Sequence, residues 1–163
     1  MLQLLMAMDE QIEWSADFEG FFARAEPRLR RALVAAYGPD RGRDAAAAAL
    51  AYAWTNWERV GAMEYPIAYL FRVGQSETRQ RRRRVLHEPI SGVEPWVEPA
   101  LLGALRRLSA RQRTAVVLVH AFDWSVGDVA ALMGTERSTV QSHLQRGLAH
   151  LRLEMEVNDD ELC

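Results

Sequence analysis

The chain has a single cysteine, Cys163. None of its apolar segments approaches the length of roughly 20 residues that a membrane-spanning helix needs. One cysteine cannot form an internal disulfide. The apolar start, residues 1–8, lacks the basic flank of a signal peptide. These absences exclude a disulfide-stapled or membrane-spanning protein, and they indicate a cytoplasmic location without a membrane partner.

Sequence motifs of covalent chemistry are also absent. The chain has no glycine-rich loop that could cradle a phosphate, and no Ser/His/Asp order that suggests hydrolysis. The four histidines are His87, His120, His143 and His150. Their spacing from cysteine and acidic residues does not match that of metal-binding motifs. The sequence therefore predicts a protein that is not an enzyme and that needs neither a metal nor another cofactor.

Helical periodicity dominates, and no strand-like alternation of any length is present, so the sequence predicts an all-α fold. An apolar stripe indicates a first helix over residues 16–36, which Pro27 should kink or split. Residues 37–40 are typical of a turn. The alanine-rich residues 44–60 indicate a second helix that ends at Gly61, and Pro66 suits the first turn of a third. The stripe consists of Phe18, Phe21, Phe22, Leu29, Leu33 and Val34.

Charge is unevenly distributed, although the net charge is only −2. Residues 65–84 contain six arginines and one acidic residue, and residues 99–152 contain seven arginines and three acidic residues, whereas the tail at 153–163 has five acidic residues and no arginine. All 20 basic residues are arginine, which suits bidentate contact with phosphate and guanine. The two basic blocks predict attraction of a polyanion at two separate places.

Residues 125–151 are typical of a helix-turn-helix. Ser125 can cap a first helix and complete a capping box with Asp128. Gly134 suits the left-handed end of that helix, and Thr135 offers a cap for the next one. Ser109 and Gln112 indicate a further capping box upstream. The apolar face of the first helix is Val126, Val129, Ala130 and Leu132.

The second helix of this motif has an apolar face and a polar face. Val140, Leu144, Leu148 and Leu151 recur at helical spacing and should lie inward. The polar side chains are of the types that bind base edges and phosphates, which predicts DNA binding. An ordinary helical hairpin with a polar face is the alternative. The polar residues are Arg137, Ser138, Thr139, Gln141, Ser142, Gln145 and Arg146.

Between the two helical regions, Pro89, Pro95, Pro99 and Gly92 interrupt any helical period and indicate an extended linker. The sequence therefore predicts two small domains, residues 1–86 and residues 100–163 with an acidic tail, joined by a linker over residues 87–99.

Motifs in both halves resemble the extracytoplasmic-function (ECF) group of the sigma-70 family of bacterial sigma factors. The series Leu-Ser-x-Arg-Gln-Arg at 108–113 and Ser-Thr-Val-x-Ser-His-Leu at 138–144 resembles sigma region 4. Phe18 with residues 27–31, and residues 44–59, resemble the first helices of sigma region 2. Residues 66–73, followed by the arginines at 81–84, resemble the helix of region 2 that meets the minus-ten element.

The resemblance implies a transcription initiation factor that binds RNA polymerase core, reads a minus-thirty-five element with the polar face given above, and melts a minus-ten element. Its implied partners are the beta-prime clamp helices and beta flap of the polymerase, promoter DNA, and an anti-sigma factor. The implied minus-ten residues are Met63, Tyr65, Tyr69, Arg72, Gln75, Arg79, Arg81, Arg82, Arg83 and Arg84. The implied polymerase-binding residues are Asp44, Ala47, Ala48, Tyr52, Trp54 and Trp57.

The sequence departs from the family pattern in two places. Ala45–Ala49 stand where the family usually has a Gln-Glu pair and bulky apolar residues, so we expect an alanine surface with few polar anchors for polymerase. Tyr69 stands where tryptophan is common, and Gln75-Ser76 where Arg-Asn is common, which suggests an unusual minus-ten preference. Two alternatives follow: a stand-alone helix-turn-helix regulator that docks weakly or not at all on polymerase, and an interaction module that engages an anti-sigma factor.

Overall fold

The computed structural model describes residues 2–80 and 99–160, and it describes their side chains over 17–78 and 101–155. These residues form helices without any strand, which confirms the all-α fold. The chain divides into two compact units, Met1–Val85 and Leu86–Cys163. Pro99, assigned to the linker from sequence, is the first residue of a helix, and residues 87–98 lie outside the described part. Within the described part, no helix is both long enough and apolar enough to cross a membrane.

The described residues of the first unit form four helices, and α2 packs against both α1 and α4. Their bounds are α1 Leu2–Tyr37, α2 Pro39–Thr55, α3 Trp57–Gly61 and α4 Pro66–Gln80. The contact of α1 with α2 is unusually close, because a Cβ atom placed on Gly42 would lie 2.4 Å from the Cα of Val34. Backbone therefore lies directly against backbone at this point, which only glycine permits.

Small side chains continue this close contact along α2. Ala45, Ala46, Ala49 and Ala53 are all buried. On the side of α4, a Cβ on Gly74 would lie 3.0 Å from the carbonyl oxygen of Ala45. Larger apolar side chains from the other helices fill the remaining core, and each contributes about 1.5–3 kcal/mol through burial. The largest fully buried ones in this unit are Leu29, Leu33, Val60 and Leu70.

The helix bounds correct three expectations drawn from the sequence. Pro27 does not split α1, which continues to Tyr37, because Ala25 and Leu29 are both fully buried and hold the helix on either side of the proline. Only Gly38, with φ 87°, separates α1 from α2, so the turn expected over four residues is wrong. The second helix begins at Pro39 rather than Asp44, and Asn56 divides it into α2 and α3. Pro66 begins α4 as predicted.

The second unit consists of α5 Pro99–Arg107, α6 Ala110–Val116, α7 Val126–Met133 and α8 Arg137–Asp160. A π-helical segment, Val117–Ala121, continues α6. The predicted capping box at Ser109 and Gln112 is present and fixes the start of α6. The core is built mainly of leucines from α5 and α8 around Val116 of α6. Its members are Ala104, Leu108, Val116 and Leu151, with Leu101, Leu105, Leu144 and Leu148 packed against them.

The helix contact at Gly42 generates a prediction about stability. Gly42→Ala should destabilise the first unit by about 1–3 kcal/mol, because a well-packed core responds to an added carbon by shifting its backbone. Equilibrium urea unfolding followed by circular dichroism measures the loss.

Gly20→Ala is the matched control in the same unit. The nearest atom to its added Cβ would be the flexible Arg24 Nη1 at 3.5 Å, which is an ordinary contact. Replacing this helical glycine should stabilise the chain by about 0.5–1 kcal/mol. Equal stability of Gly42→Ala and the wild-type chain would contradict the account of the α1–α2 contact.

Candidate nucleic-acid and polymerase interfaces

The first helix of the helix-turn-helix is capped as predicted, with one difference. The Ser125 hydroxyl oxygen accepts a hydrogen bond from the backbone N–H of Asp128 at 3.0 Å. The Asp128 carboxylate in turn accepts a hydrogen bond from the Ser125 hydroxyl at 2.6 Å, whereas a capping box would have it accept from the backbone N–H of Ser125. The two side chains together fix the start of α7.

Gly134 ends α7 in the left-handed conformation, with φ 64° and ψ 42°, as the sequence predicted. The cap predicted at Thr135 is wrong. Helix α8 begins at Arg137, and the carbonyl oxygen of Glu136 accepts hydrogen bonds from the N–H groups of Thr139 and Val140 at 3.1 and 3.2 Å. Glu136 therefore holds the capping position, and the backbone of Thr135 instead donates to the Ala130 carbonyl at 3.0 Å, which tightens the turn.

Helix α8 has the two faces that the sequence predicted. Val140 and Leu151 are buried, and a Cβ on the buried Gly147 would lie 2.8 Å from Cγ2 of Val116, so α8 lies close against α6. The candidate DNA-binding residues are on the outer side: Arg137, Ser138, Gln141, Gln145 and Arg146 are exposed, and Thr139 and Ser142 are half-buried. Packing of the inner face thus leaves a row of arginine, glutamine and hydroxyl side chains on the surface.

The candidate minus-ten residues lie in and after the loop that joins α3 to α4. Met63 and Tyr65 are half-buried in that loop. Tyr69, Arg72 and Gln75 follow on successive turns of α4, where Arg72 is exposed and the other two are half-buried. The backbone of Arg79 belongs to the last turn of α4, and Arg81, Arg82, Arg83 and Arg84 lie outside the described residues.

Three side chains from three helices meet at the start of α4, and we call them the Arg59 cluster: Tyr52, Arg59 and Tyr69. The two tyrosine hydroxyl oxygens lie 3.1 Å apart. Arg59 Nη2 donates a hydrogen bond to the Tyr69 hydroxyl at 2.9 Å and another to the Tyr52 hydroxyl. The guanidinium carbon lies 5.7 Å from the Tyr52 ring centroid and 5.8 Å from that of Tyr69, within cation–π range.

This cluster connects residues that were not grouped together from sequence. Tyr52, a polymerase-binding candidate, contacts Tyr69 of the minus-ten group. That Tyr52 binds polymerase stays a prediction. Arg59 was given no role. A weak signal for it exists, since Tyr52 and Arg59 are seven residues apart and would share a face of the single helix predicted over residues 44–60. Nothing in the sequence indicates that Tyr69 would join them.

The expected alanine docking surface is wrong for most of its residues. Ala45, Ala46 and Ala49 are buried, because α2 lies between α1 and α4 and has room only for small side chains there. Of the five alanines, only Ala47 is exposed, and Ala48 is half-buried. The outward side of α2 instead carries five exposed residues, which we call the α2 strip: the adjacent Arg43 and Asp44, followed at spacings of three and four by Ala47, Ala51 and Trp54.

The polymerase-binding candidates in and beside this strip line two depressions of the surface. Asp44 and Ala48 line a small cleft that α2 shares with α4, together with Arg41, Glu77 and Thr78. Ala47 and Trp54 line a groove of about 500 Å³ that α2 shares with α1. Phe18 forms the wall of that groove, with its ring centroid 4.8 Å from that of Trp54 and 5.2 Å from that of the half-buried Trp57. Trp54 is 45% exposed and Phe22 is 41% exposed, so the groove presents aromatic surface.

Comparison with known proteins decides the family. The model for sigma-70, region 4, matches residues 99–151, which span α5 to most of α8. An RNA polymerase sigma-E factor of Streptomyces antibioticus is 32% identical over 94% of this chain and 91% of its own length. One from Streptomyces coelicolor is 32% identical over 88% of each chain. The chain belongs to the sigma-70 family, within the ECF group of sigma factors, as the sequence predicted.

A solved structure of the same family is also similar. It is the structure of the sigma factor RpoE in complex with the anti-sigma factor NepR from Bartonella quintana. The matched chain is 25% identical in sequence and superimposes with a TM-score of 0.57, and the match covers 86% of the present chain and 98% of the matched chain. The likeness therefore extends beyond region 4 into the unit formed by α1 to α4.

Among the described residues of this sigma factor, no group of three or more His, Cys, Asp or Glu side chains is placed to hold a metal ion. The side chains at the two candidate interfaces offer hydrogen bonding, aromatic stacking and positive charge.

Proposed function

We propose that this sigma factor binds RNA polymerase core in the cytoplasm and directs it to promoters that it recognises through two DNA elements, without catalysing a reaction itself. The observation that carries the proposal is the helix-turn-helix, in which a capped α7 and a left-handed Gly134 present the polar face of α8 outward. The family membership given above supports the dependence on polymerase.

The polar face of α8 would enter the major groove at the minus-thirty-five element. Gln141 and Gln145 are one helical turn apart and exposed, so they can reach adjacent base edges. Arg137 and Ser138 stand at the N-terminal end of α8, where recognition helices make many of their base contacts. Arg146 would contact phosphate, and Thr139 and Ser142 border this surface.

The loop before α4 and the first turns of α4 would hold the melted minus-ten element. Unpaired bases require aromatic faces for stacking, and Tyr65 and Tyr69 supply such rings on either side of Pro66. Arg72, in the next turn after Tyr69, brings positive charge to the same helix. Met63 and Gln75 flank this surface, and the arginines at 79 and 81–84 would attract the phosphate backbone just upstream.

Polymerase docking would use the α2 strip and the aromatic groove beside it, against the beta-prime clamp helices, while the helix-turn-helix unit would bind the beta flap. Exposed Trp54 lies on the same outward side of α2 as Asp44 and Arg43, so the strip combines an apolar anchor with charged groups, a common composition of interfaces. An anti-sigma factor is a second proposed partner, because the similar RpoE structure is a complex with one.

The two alternatives have less support than this proposal. The stand-alone regulator was motivated by an alanine surface unsuited to docking, and the burial of Ala45, Ala46 and Ala49 removes that motive. A decoy that only binds an anti-sigma factor would not need the exposed polar face on α8.

Run-off transcription tests the proposal. Purified core polymerase from a bacterium with a GC-rich genome is mixed with the full chain and a library of genomic fragments. Discrete transcripts that require the chain are expected, and their start sites identify both promoter elements. Binding to duplex DNA without any such transcript would favour the stand-alone regulator.

Substitutions on α8 test which side chains determine the preferred minus-thirty-five sequence. Gln141→Ala should shift the preferred base at one position of the minus-thirty-five element, since a lost bidentate contact costs about 1–3 kcal/mol of discrimination. Transcription from a library randomised at that element measures the shift.

Arg146→Ala is the paired variant. Loss of a phosphate contact should weaken all sequences alike and lower the salt slope of binding by about 1. If Gln141→Ala left the base preference unchanged while Arg146→Ala altered it, the assignment of these two side chains would be wrong.

A further inference from the structure

The Arg59 cluster places a positive charge beside the proposed minus-ten surface. Arg59 lies on α3 and is exposed, whereas the two tyrosines that hold it are half-buried. Tyr52 projects from α2 and Tyr69 from the first turns of α4, so three helices converge on one guanidinium. A long arginine side chain is thereby fixed in one position at the surface.

The hydrogen bonds within the cluster leave donor capacity for a ligand. Both bonds from Arg59 to the tyrosines use the same nitrogen, Nη2. A guanidinium carries five N–H donors, and Nε and Nη1 are donors that the tyrosines do not engage. Either of these nitrogens can donate to a phosphate oxygen, and an arginine that is already held in place loses less side-chain freedom when it binds one.

The position of the cluster indicates what kind of phosphate Arg59 could bind. Tyr69 belongs both to the cluster and to the surface proposed to hold unpaired bases, and the loop of Met63 and Tyr65 connects α3, which carries Arg59, to α4. Proteins that bind single-stranded DNA combine aromatic side chains for the bases with a positive charge for the backbone. The cluster brings the two kinds of group into contact.

We propose that Arg59 is a phosphate-binding residue for the unpaired DNA strand of the minus-ten element, held in place by the hydroxyl groups of Tyr52 and Tyr69. The inference rests on the proposed function and adds to it a DNA-contacting residue and a positioning residue, Tyr52. The ligand is a phosphodiester of single-stranded DNA, and the contact forms with the strand after melting.

The test uses holoenzyme formed from core polymerase and the full chain, on a promoter obtained from the transcription experiment. The template carries a pre-melted bubble at the minus-ten element, so that strand binding is measured apart from strand separation. Arg59→Gln should lower the binding constant for this template about 10-fold. The slope of its logarithm against the logarithm of salt concentration should become less steep by about 0.7, the value for one lost contact with a single strand.

Arg31→Gln is the matched control, because Arg31 is exposed on α1 and its loss changes net charge equally. It should leave the salt slope at the wild-type value. Tyr52→Phe keeps the ring but removes the hydroxyl that holds Arg59, so it should weaken binding in the wild-type chain and cause no further loss in the Arg59→Gln chain. Thermal unfolding of each variant shows whether the fold is retained.

A wild-type salt slope for Arg59→Gln would overturn the proposal, because it would mean that no phosphate contact was lost. Additive losses for Tyr52→Phe and Arg59→Gln would overturn the positioning role of Tyr52. Failure of the wild-type chain to give transcripts would contradict the proposed function itself, and this would be seen before any variant is made.

Discussion

The close contact of α2 with α1 and α4 is the constraint on which the rest of the first unit depends. Backbone lies against backbone at Gly42, and the alanines that follow keep α2 near both neighbours along its length. This contact determines which side of α2 faces outward, and so it produces the α2 strip and the aromatic groove. It also brings Tyr52 to the start of α4, where the Arg59 cluster forms. One helix thus carries the core on one side and the proposed docking surface on the other.

In the second unit, α8 likewise has a core side and an outward side, but different features produce them. Two capping serines and one left-handed glycine fix where α6 and α7 begin and α7 ends, and leucine packing fixes the rotation of α8. A side chain at 147 would force α8 away from Val116, so the position of the proposed DNA-binding face depends on a glycine on the opposite side of the helix. The proposed recognition residues are therefore positioned by residues of the core.

Much of this organisation could be predicted from sequence, and the failures have physical reasons. The faces of α8 followed from leucine periodicity, because leucine is found inside and glutamine outside. The alanines of α2 were misassigned, because alanine suits a buried contact and an exposed surface about equally and gives no such signal. Pro27 was expected to kink or split its helix, but burial on both sides of the proline keeps the helix continuous. The Arg59 cluster could not be predicted, since its members come from three helices whose packing no local pattern encodes.

Four alanines of α2 belong to the core, Ala45, Ala46, Ala49 and Ala53, while the outward strip remains available to polymerase. Affinity for core polymerase, measured by titration with a fluorescently labelled chain, tests it most directly when Ala47→Arg is compared with Ala35→Arg. Both positions are exposed, one on the α2 strip and one on α1, and both substitutions suit a helix. The account predicts that Ala47→Arg weakens binding at least 10-fold, while Ala35→Arg binds as the wild-type chain does. Equal affinity of the two variants for polymerase would contradict it.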